Sequence, residues 1–168
     1  HAASMRAANP ELRAELWIGG DAPTAWDRLA TGPQPPSVPV AVDRDHPAWF
    51  FYTSGTTGRP KAAVLTHGQL AFVVTNHLAD LLPGIDETDT ALVVAPLSHG
   101  AGIHAMLSVA RGAASVLMGG DRLDVEEAWS LVERHRVTNM FTVPTILTML
   151  TRHDAVGRYD HSSLRYVI

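Results

Sequence analysis

Four short apolar runs recur through the second half of the chain, at residues 91–95 (ALVVA), 114–118 (ASVLM), 139–143 (NMFTV) and 164–168 (LRYVI). Each has the length of a strand, and stretches with helical periodicity lie between them. These are residues 103–110, with Gly112 just beyond; 125–136, opened by Asp124 with Glu127 three residues on; and 145–153. In the middle stretch Val125, Ala128, Trp129 and Val132 recur at helical spacing and mark its buried face. Strands alternating with helices of this length are joined by right-handed crossovers. The pattern predicts an α/β fold, a mostly parallel sheet with flanking helices.

That fold says where to look for a site. Open parallel sheets bind ligands beyond the carboxyl ends of their strands. The segments leaving those ends are Pro96-Leu97-Ser98-His99-Gly100-Ala101-Gly102, Gly119-Gly120-Asp121 and Pro144-Thr145. The first is the richest in chemistry. Ser98 beside His99 could suggest a hydrolase, but no G-x-S-x-G elbow is present and no acid partner is evident. His99 and His104 are five apart, which fits neither one helix face nor the zinc-protease spacing. On the residues alone, His99 is either a loop histidine bonded to backbone or the wall of a pocket.

The first half holds a different signal. Residues 48–52 (AWFFY) read as a buried strand and 62–65 (AAVL) as a shorter one. Between them lie Thr53, Ser54, Gly55, Thr56, Thr57, Gly58, Arg59, Pro60 and Lys61. Hydroxyls that donate and accept, glycines that admit a ligand to the backbone, and one mobile cation can together cradle an anion such as phosphate. A polar hairpin loop with no ligand has the same composition. The P-loop is excluded, because counting from Gly55 puts Pro60 at its second glycine and Ala62 after Lys61. Thr66 with Gln69 then forms a capping box for a helix whose apolar stripe is Leu70, Val73, Val74, Leu78 and Leu81, ended by Pro83-Gly84. His77 falls on that stripe and reads as a packed, hydrogen-bonded histidine.

Upstream, residues 31–47 carry five prolines and read as a linker, so the expected division is 1–47 as an N-terminal segment and linker and 48–168 as an incomplete α/β portion. Residues 15–18 (ELWI) suggest a strand and 23–29 a short helix. A net charge of −4 without like-charge blocks argues against a nucleic-acid partner. No apolar run has membrane-spanning length, and the absence of cysteine removes thiolate chemistry and suits a cytoplasmic setting. The chain opens at His1 without Met and closes on Val167-Ile168 in an apolar run, so both ends are expected to be cut.

The stretch YTSGTTGRPK (52–61) resembles the phosphate-binding signature of the adenylate-forming superfamily. That superfamily includes acyl-CoA and aryl-CoA synthetases, luciferases and the adenylation domains of peptide synthetases. One position departs: the family usually has glycine after the lysine, where this chain has Ala62. PLSHGAG (96–102) is similar to the family's next motif as found in the CoA ligases. The peptide-synthetase branch usually has GSTG and a Phe-Asp pair, where this chain has GTTG and Ser-His. VPTILTMLTRH (143–153) and DHSSLRYVI (160–168) also look like family segments, the last normally leading into an adenine-binding loop.

The resemblance implies the large N-terminal domain of an enzyme using ATP, Mg2+ and CoA. It would activate a small carboxylic acid, fatty or aryl, as an acyl-adenylate and pass the acyl group to CoA. It assigns Thr53, Ser54, Gly55, Thr56, Thr57, Gly58 and Lys61 to the ATP phosphates, and His99 with Gly102 to the acyl pocket. It leaves the metal ligands unassigned and no catalytic set complete, since the magnesium-binding glutamate, ribose-binding aspartate and mobile lysine have no matching motif here. The isolated chain is therefore expected to be inactive without the remainder of its polypeptide. Two rivals remain open: an adenylating enzyme with another acceptor, such as a carrier-protein thiol, and a non-catalytic nucleotide-binding homologue.

Overall fold

The computed structural model describes residues 7–11, 31, 38–53, 60–120 and 122–168. It divides into two units, His1–Ala41 and Val42–Ile168. The expected strand at 15–18 and helix at 23–29 lie outside the described residues.

The second unit begins with an antiparallel pair, β1 (Pro47–Thr53) and β2 (Lys61–Thr66), in which Thr53 faces Lys61 and Phe50 faces Val64. The register alternates the side chains, as the pleat requires. Ala62 sits opposite Tyr52 in ordinary strand backbone. Among the described residues Arg136 is the only non-glycine with positive φ, so the departure from glycine at Ala62 carries no strain.

Thr66 caps α1 (His67–Asn76) as its sequence predicts. Its hydroxyl accepts from the Gln69 amide at 3.2 Å, and the Gln69 side chain accepts from the Thr66 amide at 2.9 Å. The helix then widens into a π segment, His77–Leu81, before Gly84 turns the chain with φ of +80°. His77 is half-buried and its Nδ1 lies 2.9 Å from the Val73 carbonyl, the packed and bonded state expected of it.

The remaining elements alternate. They are β3 (Thr90–Val93), α2 (Gly100–Arg111), β4 (Ala114–Leu117), α3 (Val125–His135), β5 (Asn139–Phe141), α4 (Pro144–Arg152) and β6 (Tyr166–Val167). The four strands form one parallel sheet in the order β4-β3-β5-β6. The α/β fold and parallel sheet expected from the alternation are therefore present. Asp124 accepts from the Glu126 and Glu127 amides to cap α3, and Gly112 ends α2 at φ of +70°. Val125, Ala128, Trp129 and Val132 are the buried residues of α3, packing with Leu92, Met140 and Leu150. A second apolar cluster joins Leu82, Ile85 and Leu107 to Val74, Tyr166 and Ile168.

One element starts earlier than its periodicity indicates. The stretch expected to be helical from 103 is helical from Gly100, so the Gly-Ala-Gly of the second motif is a helix's first turn. Glycine lowers intrinsic helix propensity, and tertiary packing overrides it at this point.

Away from the carboxyl edge, buried Asp89 accepts from the Asp86 amide at 2.9 Å and pairs with Arg165. Burial works to raise its carboxyl, but hydrogen bonds from Thr138, the Asp86 amide and Arg165 outweigh it and hold Asp89 below the ordinary carboxylate value. Replacing Asp89 by alanine removes the acceptor of the Asp86 amide and the partner of Arg165, and is expected to lower stability by about 2 kcal/mol. Urea unfolding checks this: a midpoint unchanged from wild type would mean the pairing contributes nothing.

Candidate functional site

The two motifs read from the sequence sit on different elements, and two aromatic side chains join them. Thr53 closes β1 and Lys61 opens β2, both exposed and paired across the ladder. This register brings the ends of the motif at residues 52–61 together. Ser54, Gly55, Thr56, Thr57 and Gly58, which lie between them, fall outside the described residues.

Trp49, four residues before Thr53, stacks on Phe51 with ring centroids 5.1 Å apart. Its indole lies against Gly102, where an added Cβ would fall 2.7 Å from the ring and 2.0 Å from the Leu97 carbonyl oxygen. The Phe141 ring, at the carboxyl end of β5, lies against Gly100, with 2.8 Å to an added Cβ. The PLSHGAG segment is thus clamped between Trp49 and Phe141. Both glycines admit protein rings at close range. Gly102, expected to face substrate, is buried and its Cβ side is filled by Leu97 and Trp49.

His99 follows the carboxyl end of β3 and stands as the N-terminal flanking residue of α2, with its side chain exposed. That is the edge the parallel-sheet rule selects. Beside it opens a cleft of about 430 Å³ lined by Val93, Ala95, Pro96, Leu117, Met118 and Ile146, with Arg122 as the cation in its wall. His99 is not among the lining residues. Among the described residues its lining is mainly apolar, with Arg122 as the charged side chain.

His104 lies one helical turn into α2 from Gly100 and is buried, 5% exposed. Its Nε2 lies 3.0 Å from Asn139 Oδ1. Burial, more than any other influence, pushes this imidazole below its ordinary value; the Asn139 bond acts the other way, and His77 adds to the lowering. Among the described residues no group of three or more histidine or acidic side chains is placed to hold a metal ion. No described helix is long and apolar enough to cross a membrane.

Sequence reasoning found both motifs but missed Trp49, Phe141 and Arg122. The first two lie on β1 and β5, outside the PLSHGAG segment, and only the fold brings their rings against Gly102 and Gly100.

The family described as "AMP-binding enzyme" matches residues 3–168, nearly the whole chain. The chain belongs to the AMP-binding enzyme family. It is 38% identical over 141 residues to a feruloyl-CoA synthase from an Amycolatopsis species, covering 83% of this chain and 28% of that protein. Its fold is similar to that of the O-succinylbenzoate coenzyme A synthetase MenE from Bacillus subtilis, solved in complex with AMP. The TM-score there is 0.66 and the identity 30%, covering 84% of this chain and 35% of that one. The amide bond synthetase McbA from Marinactinospora thermotolerans superposes over 99% of this chain and 33% of its own, with a TM-score of 0.74 and 26% identity. The chain thus spans little more than a quarter of the length of that feruloyl-CoA synthase. The resemblance read from the two motifs and the family found by comparison agree.

Proposed function

We propose that this chain is part of an ATP-dependent acid–thiol ligase that activates an aromatic carboxylic acid and transfers it to CoA. The observation that carries the reading is the junction of the two motifs, with Trp49 of the phosphate hairpin seated on Gly102 of the PLSHGAG segment. One rigid contact then relates a triphosphate held by the hairpin to an acid held near the sheet's carboxyl edge. Similarity to a feruloyl-CoA synthase supports an aryl over a fatty acid.

In the first half-reaction a carboxylate oxygen attacks the α-phosphorus of ATP. The P–O bond to pyrophosphate breaks, and the acyl-adenylate forms. In the second, the CoA sulfur attacks the acyl carbon, AMP leaves with the carboxyl oxygen, and the thiol proton passes to solvent. The residues of this chain bind and orient. Thr53, the hydroxyls of Ser54, Thr56 and Thr57, the backbone at Gly55 and Gly58, and the Lys61 ammonium take the β- and γ-phosphates. His99 is assigned to the acyl group from the sheet's carboxyl edge outside the cleft, while Arg122 in the cleft wall offers a cation to an entering anion. Mg2+, when bound with ATP, would neutralise phosphate charge, and the described residues provide no three-ligand cluster for it.

Orientation of the two reactants supplies on the order of 7–11 kcal/mol in favourable cases. A segment spanning 28% of a CoA-synthase relative is therefore expected to give no measurable thioester by itself. The test uses the full polypeptide containing this segment, with ATP, Mg2+, CoA and a panel of aryl and alkyl acids, following thioester by absorbance. Preference for hydroxycinnamate-type acids supports the reading, and equal or better rates with alkyl acids would remove its aryl part. The likeness to an amide bond synthetase favours one second reading, adenylation with an amine as acceptor. AMP release that needs an amine instead of CoA would select it.

A further inference from the structure

We propose that His104 is a positioning residue that ties α2 to the sheet in its neutral form, making the PLSHGAG segment acid-sensitive. The hydrogen bonds fix the imidazole's proton. The Thr138 hydroxyl has one proton, directed to the Thr90 carbonyl at 3.2 Å with the Asp89 carboxylate as the competing acceptor. Thr138 Oγ1 therefore accepts from Asn139 Nδ2, also at 3.2 Å. The amide of Asn139 is thereby oriented with Oδ1 toward His104, and His104 Nε2 must be the protonated nitrogen that donates to it. Nδ1 is then a bare lone pair, buried, with no hydrogen-bond partner among the described residues.

A second proton on Nδ1 would place an N–H and a charge where nothing accepts them. Among the described residues the surroundings of His104 offer no relief. From β5 it meets neutral Asn139 and the Phe141 ring, whose centroid is 6.0 Å away. β3 (TALV) and β4 (ASVL) carry no ionisable side chain. On its own helix, Arg111 donates instead to the Ile85 carbonyl. From α1 and the π segment, which carry His67, His77 and Asp80, the group whose charge acts on it is His77, and that charge repels. Acid thus leaves the imidazolium unpaired and opposed by a second histidine.

The direction follows from linkage. The folded chain holds this imidazole below the ordinary value of 6.5, so the unfolded chain binds the proton first. Stability is intact above about pH 6.5 and is lost as pH falls below it. His104 is on the same helix as Gly100 and Gly102, so strain at His104 is felt at the clamp between Trp49 and Phe141.

The test compares the wild-type chain with His104→Gln, whose amide N–H reaches toward Asn139 Oδ1 but does not titrate. Thermal midpoints are measured from pH 8 to 5.5, with exchange protection of the Gly102 amide, which donates to the His99 carbonyl at 2.9 Å. The wild-type midpoint is expected to fall at least about 3 °C further than that of the variant. Gly102 protection should drop about tenfold in the wild type and stay within about twofold in the variant. Equal acid loss in both proteins overturns the proposal. Should the variant fail to fold, the wild-type imidazole titration by NMR decides alone: His104 titrating below 6.5 supports the proposal, and at or above 6.5 overturns it.

Discussion

Alanine at Gly102 is expected to destabilise the chain by about 3 kcal/mol, and alanine at Gly100 by much less. Both substitutions gain helix propensity, worth up to about 1 kcal/mol each. At Gly100 the new methyl meets the far end of the Phe141 ring at 2.8 Å, and a ring can swing aside. At Gly102 it meets a backbone carbonyl oxygen, Leu97 O, at 2.0 Å, with the Trp49 indole behind it at 2.7 Å. A carbonyl moves only if the preceding turn moves, so the propensity gain is outweighed by overpacking. Thermal or urea unfolding of the two variants side by side measures the difference. Gly102→Ala as stable as wild type would mean that Trp49 does not seat on this helix, and the proposed link between the motifs would fail with it.

Lys61→Ala is expected to lower kcat/KM for ATP by about a hundredfold or more in the full enzyme, equivalent to roughly 3 kcal/mol of transition-state stabilisation. The fold should survive. Lys61 is exposed, and its backbone pairing with Thr53 does not depend on the side chain. Circular dichroism and steady-state kinetics with ATP varied at saturating acid separate the two effects. Unchanged kinetics would reject the phosphate role, and a lost fold would assign Lys61 to structure.

The parts legible in the sequence were those governed by local period and local chemistry. The alternation from residue 91 onward predicted the parallel sheet because its short apolar runs, of which β3 and β5 are largely buried, alternate with helices that show one apolar face, as in α3. Thr66 with Gln69 and Asp124 with Glu127 announced their caps because capping is a contact within four residues. The early start of α2 was hidden, since its first turn is two glycines and an alanine whose reason for being helical lies on β1 and β5. The bond from His104 to Asn139 was hidden for the same cause, spanning 35 residues of chain. Nothing in the residues 77–81 marks the π segment, which follows the helix for five residues with no proline or glycine in it. In the site, the motif at residues 52–61 was readable as chemistry, whereas the aromatic clamp that orients the second motif required the fold.

In the proposed function the hairpin carrying Thr53 and Lys61, and the segment carrying His99, serve one reaction in which a carboxylate attacks ATP. Exchange of labelled pyrophosphate into ATP tests it directly, because only a reversible adenylation returns the label. With the full polypeptide, ATP and Mg2+, exchange is expected when an aromatic carboxylic acid is added, with no requirement for CoA, and is expected to fall about a hundredfold with Lys61→Ala. Exchange that proceeds equally without any acid, or its absence across aryl and alkyl acids alike, would contradict the claim.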